Sequence, residues 1–114
     1  MENVFRSEVW LVNLNPPGKG LEIHGERLAL VVSADELNNC PANIVIVLPI
    51  ASKPRKIPSH IKVTPPEGGL KIISFVKCDQ IRMISKDRLV KRIGVLSSDV
   101  MSEIAEALKA ILSL

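Results

Sequence analysis

Tyrosine is absent from this 114-residue chain, and its aromatic side chains are two phenylalanines, Phe5 and Phe75, and one tryptophan, Trp10. So few rings argue against a base-stacking platform of the kind built from rows of exposed aromatics. Cysteine is equally scarce. Cys40 and Cys78 lie far apart and outside any CxxC spacing. With His24 and His60 also scattered, no metal-ligand spacing emerges and no cofactor is implied. There is no signal-peptide pattern and no long apolar span, so the default expectation is a reduced, cytoplasmic compartment without membrane contact. Polybasic tails, repeats, low-complexity tracts and linkers are missing too, which points to one domain over residues 1–114. What is present is a 46% hydrophobic content, too high for a disordered chain and sufficient for a modest core. Fifteen basic against twelve acidic residues leave a formal charge of +3, a balance that permits a polyanionic partner without demanding one.

The apolar patterning reads mostly as short strands. Residues 4–14 contain VWLVNL, strongly β-favouring, with Glu8 just before it; Asn15-Pro16-Pro17-Gly18-Lys19-Gly20 then breaks the strand and forms a mobile loop. The stretch EIHGERLALVVS, residues 22–33, turns abruptly from polar to apolar, so a polar loop feeds a second strand over 28–33. Residues 34–39 read as a short helix or turn with Ser33 as a possible cap. IVIVLPI, residues 44–50, is a third strand buried on both faces. A basic loop at Lys53-Pro54-Arg55-Lys56 precedes a fourth strand over 60–63, and a Pro/Gly break over 65–69 precedes a fifth over 71–76. Residues 85–88 look like one helical turn and 91–95 like a last short strand. Ser97 then caps a helix whose Val100, Met101, Ile104, Ala105, Leu108, Ile111 and Leu112 form one apolar stripe, with Asp99 and Lys109 matching the helix dipole. Many short strands with one terminal helix imply a mainly β (α+β) fold, a small and strongly curved barrel carrying a helix.

Arg27 sits where the polar loop becomes strand, a position that can hold a guanidinium rigidly and leave it open to a phosphate. It is equally the position of an ordinary surface charge flanking a strand. Four segments then stand in a familiar order: Glu8-Val9-Trp10-Leu11-Val12-Asn13-Leu14; Gly25-Glu26-Arg27-Leu28-Ala29-Leu30-Val31-Val32-Ser33; Leu48-Pro49-Ile50-Ala51-Ser52; and Cys78-Asp79-Gln80-Ile81-Arg82. Together they resemble the MazF/PemK family of toxins, whose members carry a G-[DE]-[IV]-W strand, an RPALVVS strand, a P-x-T-[ST] segment and a DQ-[IL]-R segment. The resemblance continues through Asp87-Arg88-Leu89 and Leu96-Ser97 into the helix, so it covers nearly the whole chain. It implies an SH3-like barrel of the MazF/CcdB type that dimerises. It also implies metal-free cutting of single-stranded mRNA and silencing by a small MazE-like antitoxin.

The departures bear on the chemistry. Ser7 replaces the usual glycine before the first acidic residue, and Leu28 the proline after the arginine. The threonine of MazF-like members falls on Ala51, with Ser52 next. The histidine of the PemK branch falls on Leu21, with His24 three residues on, and that branch's Arg-x-Asp pair becomes Lys77-x-Asp79. Cleavage through the RNA's own 2′-hydroxyl needs a base, a stabiliser for charge on phosphorus, and an acid for the leaving oxygen. Arg27 suits the second task, Glu22, Asp79 or His24 the first, and Ser52 could donate to a phosphate oxygen. The expected catalytic set is therefore Arg27, Glu22, Ser52 and Asp79, and the expected RNA-binding set Lys19, His24, Lys53, Arg55, Lys77, Gln80 and Arg82. Glu22 could instead pair with Lys19 or Arg27 in a solvated loop, Asp79 could be a turn residue, and His24 an exposed loop residue. His60, flanked by Ser59 and Ile61, reads as structural, and Cys78 as buried packing. The alternative function is a degenerate module that only binds RNA or antitoxin, or a protein-binding toxin like the gyrase poisons of this fold.

Overall fold

The computed structural model describes residues 3–14, 25–54 and 57–114. Among these described residues, seven strands make one antiparallel sheet. They are β1 (Glu8–Asn13), β2 (Glu26–Val31), β3 (Ile44–Ala51), β4 (His60–Val63), β5 (Ser74–Lys77), β6 (Arg82–Ser85) and β7 (Leu89–Val95). The hydrogen-bonded order is β4-β5-β3-β2-β1-β7, with β6 pairing β3 beside β5. A four-residue helix α1 (Asp35–Asn38) follows β2, and α2 (Ser98–Leu112) follows β7. The mainly β class with a C-terminal helix is as expected. The ladder does not close into a ring among the described residues, because β4 and β7 stand at the two ends of the path.

Alternation along the strands divides the apolar residues between two cores. Val9, Leu30, Leu48, Ile50, Val63 and Val76 face the first core, which α2 covers with Met101 and Ile104. Trp10, Val12, Ala29, Val31, Val45, Val47 and Ile84 face the second, joined by Val4 from before β1 and Leu14 from after it. Residues 44–50 therefore serve both faces, as their unbroken apolar run suggests. Helix α2 begins as its sequence dictates: Ser97 is the N-cap, and its side chain accepts from the Val100 N–H. Glu8, buried beneath the second core, is satisfied on three sides. Its Oε1 accepts from the Phe5 N–H at 2.8 Å and from Trp10 Nε1 at 3.1 Å, and its Oε2 lies 2.7 Å from Arg92 Nε.

Several boundaries differ from expectation for identifiable reasons. Ser33 does not cap α1, whose N-cap is Ala34 without a side-chain bond. Its hydroxyl instead accepts the Ile46 N–H at 3.0 Å and pairs with the Asn38 side chain, tying α1 to β3. β5 starts at Ser74 rather than residue 71, and Ile72 and Ile73 before it are exposed. β6 was not expected at all, and β7 starts at Leu89, two residues early. β7 crosses the turn at Glu67–Gly69 so closely that a Cβ on Gly94 would lie 2.5 Å from the Gly68 carbonyl oxygen. Among the described residues no helix is long and apolar enough to cross a membrane.

Candidate functional site

The second face of the sheet changes character along its length. Residues paired across an antiparallel ladder share a face, so the register extends the face that carries Ala29 and Val47 outward strand by strand. Ala29 pairs with Pro49, and Arg27, two residues earlier in β2, pairs with Val12. Ala51 pairs with Phe75, Phe75 with Lys62, and Lys77 with His60. Val47 pairs with Arg82. Beyond the apolar core, this face therefore carries Arg27, Ala51, Phe75, Lys77, Lys62, His60 and Arg82 from five strands.

Between β5 and β6 the chain makes one 3-10 turn, Cys78–Gln80, which separates inward from outward side chains. Cys78 is buried in the first core and Ile81 packs against it, while Asp79 is exposed. Asp79, Gln80, Ile81 and Arg82 line an open depression of about 280 Å³. Behind it lies a connected polar chain. The Asp79 Oδ1 is 2.8 Å from His60 Nε2, the His60 Nδ1 is 3.3 Å from Lys77 Nζ, and Lys77 Nζ donates to the Lys53 carbonyl at 2.9 Å. Lys77 also sits 5.7 Å over the Phe75 ring. Burial, helped by the charge of Asp79, pushes the Cys78 thiol up to about 11, so between Lys77 and Asp79 it stays a protonated packing group at neutral pH.

The expected site residues are placed as follows. Arg27 is exposed as the second residue of β2, within the strand rather than before it. Asp79, Gln80 and Arg82 come together at the depression. Ser52 and Lys53 lie in an exposed bend just after β3, past Ala51. Lys77 is only 3% exposed, so its ammonium works inside the protein, where an RNA-facing cation was expected. Glu22, Lys19, His24 and Arg55 lie outside the described residues. His60, expected to be structural, stands in the middle of the polar chain, and Lys62 and Phe75 join it on the same face. The signal that would have found them is the alternation in His60-Ile61-Lys62-Val63, which puts the two polar residues on one side of a strand. Chemically, the arrangement offers a braced carboxylate on the same side of the sheet as a guanidinium. That combination can accept a proton and bind anionic oxygens.

A profile of PemK-like, MazF-like toxins of type II toxin-antitoxin systems matches residues 5–112. Endoribonuclease MazF9 of Mycobacterium tuberculosis is 32% identical, with 96% of each chain covered. Endoribonuclease EndoA of Bacillus subtilis is also 32% identical, over 97% of this chain and 96% of its own. Among solved structures, MazF from Deinococcus radiodurans superposes with a TM-score of 0.86 at 21% identity over all of both chains. An endoribonuclease from a mycobacterial species, solved with its cognate antitoxin, gives 0.81 at 24% identity over 97% of this chain and 96% of its own. At such identities the structural likeness is one of fold.

Proposed function

From the premise that this chain belongs to the PemK-like, MazF-like toxins of type II toxin-antitoxin systems, we propose that it is an endoribonuclease that cuts single-stranded mRNA and so stops translation. The observation that carries this reading is the shared face: Arg27 from β2 and the Asp79 turn between β5 and β6 flank the same polar end of the sheet. Arg27 binds the scissile phosphate and stabilises the charge that develops on it, as a planar fork of donors does well. Asp79 takes the 2′ proton, and the freed 5′ oxygen is protonated as it leaves. Glu22 and His24 are further candidates for the proton transfers. Lys19, Lys53, Arg55, Gln80 and Arg82 hold the flanking phosphates and bases. Lys77 acts behind the site through His60.

The protein works in the cytoplasm as a single-domain subunit of a homodimer. A MazE-like antitoxin silences it by laying an acidic, extended segment across the basic residues of this face. The test is to incubate the protein with a long single-stranded RNA in EDTA and map the cut ends. Cleavage should persist in chelator and leave 5′-hydroxyl ends. Activity that vanishes in EDTA and returns with a divalent ion would overturn the mechanism. One observation favours the second reading, a module that binds RNA or antitoxin without cutting: Ala51 supplies no hydroxyl where MazF-like members have threonine. RNA left whole in every condition would establish it.

A further inference from the structure

The hydrogen-bonding roles around His60 follow from its two neighbours. A lysine ammonium has three donors and no acceptor, so the nitrogen that meets Lys77, Nδ1, must accept. An ionised carboxylate only accepts, so the nitrogen that meets Asp79, Nε2, must carry the proton and donate. One tautomer satisfies both contacts. The His60 side chain is 2% exposed, whereas that of Asp79 is 38% exposed. The ring is thus sealed behind the carboxylate and out of reach of a nucleotide. Among the described residues, the ring is also the hydrogen-bond partner that holds Asp79, whose own backbone support is a single 3-10 turn. That turn is fastened to the same place, since the Cys78 N–H donates to the Ser59 carbonyl at 3.1 Å.

We propose that His60 is a positioning residue of the RNA-cutting site, held by Lys77 in the Nε2–H tautomer so that it aims the Asp79 carboxylate. The proposal rests on the endoribonuclease reading. Residues 53, 60, 77 and 79 then form one unit, in which Lys77 ties the end of β3 to the ring and the ring sets the carboxylate. The principle is that of a histidine whose tautomer is set by the bond at its other nitrogen.

Two measurements on the full chain test it. Nitrogen-15 NMR of the histidine rings should show His60 with Nε2 protonated and Nδ1 bare, and Lys77→Met should release that preference. In cleavage of single-stranded RNA, His60→Leu should lower kcat by about 10–100-fold with KM little changed, the range expected when an orienting partner is lost. His60→Gln, which can present an N–H near the Nε2 position, should recover much of the loss, a rescue that simple packing would not produce. A proton found on Nδ1 overturns the tautomer lock whether or not the protein cuts RNA. Equal rates for wild type and His60→Leu, or a Gln variant no better than Leu, overturn the positioning role. A wild type that cuts no RNA, with the tautomer as proposed, overturns the functional reading instead and leaves the lock as a structural element.

Discussion

Arg27 and Lys53 separate chemistry from mere charge. Both are basic and exposed, yet Arg27 is anchored in a strand by its pairing with Val12, while Lys53 lies in a bend. Arg27→Ala should therefore cost the ~100–1,000-fold in rate typical of a lost oxyanion donor, and Arg27→Lys should recover little. Lys53→Ala should leave saturated turnover nearly unchanged and reduce the salt dependence of RNA binding. Single-turnover cleavage and binding at two ionic strengths distinguish the two. The importance of Arg27 was legible because a polar-to-apolar switch marks a strand mouth. His60 was not, because its meaning depends on Lys77 and Asp79, which reach it only through the β4–β5 pairing. The same holds for Lys77, whose basic character suggested solvent but whose place on the sheet buries it.

At the scale of elements, what is local in cause was readable and what is cooperative was not. α2 was readable from its cap and stripe, and β4 from four alternating residues. β6 was missed because Met83 faces solvent and Ile84 alone is buried among its four residues, so the strand exists by pairing with β3 rather than by its own pattern. The crossing of β7 over residues 67–69 was likewise invisible, since it needs two distant glycines to be read together. Gly94→Ala tests it. The added methyl would meet the backbone of Gly68 at 2.5 Å, where no flexible side chain can yield. A loss of roughly 1–3 kcal/mol is expected from overpacking of this kind, read as a lower midpoint in denaturant unfolding with an unchanged slope.

For the whole molecule, the surface left bare is as informative as the interior. The apolar run at 44–50 is largely consumed by the two cores and leaves little of itself for association. Exposed instead are Ile72 and Ile73 just before β5, Met83 on β6, and Val90 and Val95 on β7. Light scattering at micromolar concentration should give twice the mass of the 12.5 kDa chain, and a monomer mass would count against the dimer. The pairing of β1 with β7 has a separate implication for how the molecule comes into being. Glu8 meets Val95, and the first core is covered by Met101 and Ile104 of α2. A chain emerging from the ribosome can therefore pair β1 with β2 early, but the other edge of β1 and the helix-facing side of the sheet stay bare until the last quarter has been synthesised. A protein proposed to destroy messages thus acquires its shape only after its own message has been read almost to the end.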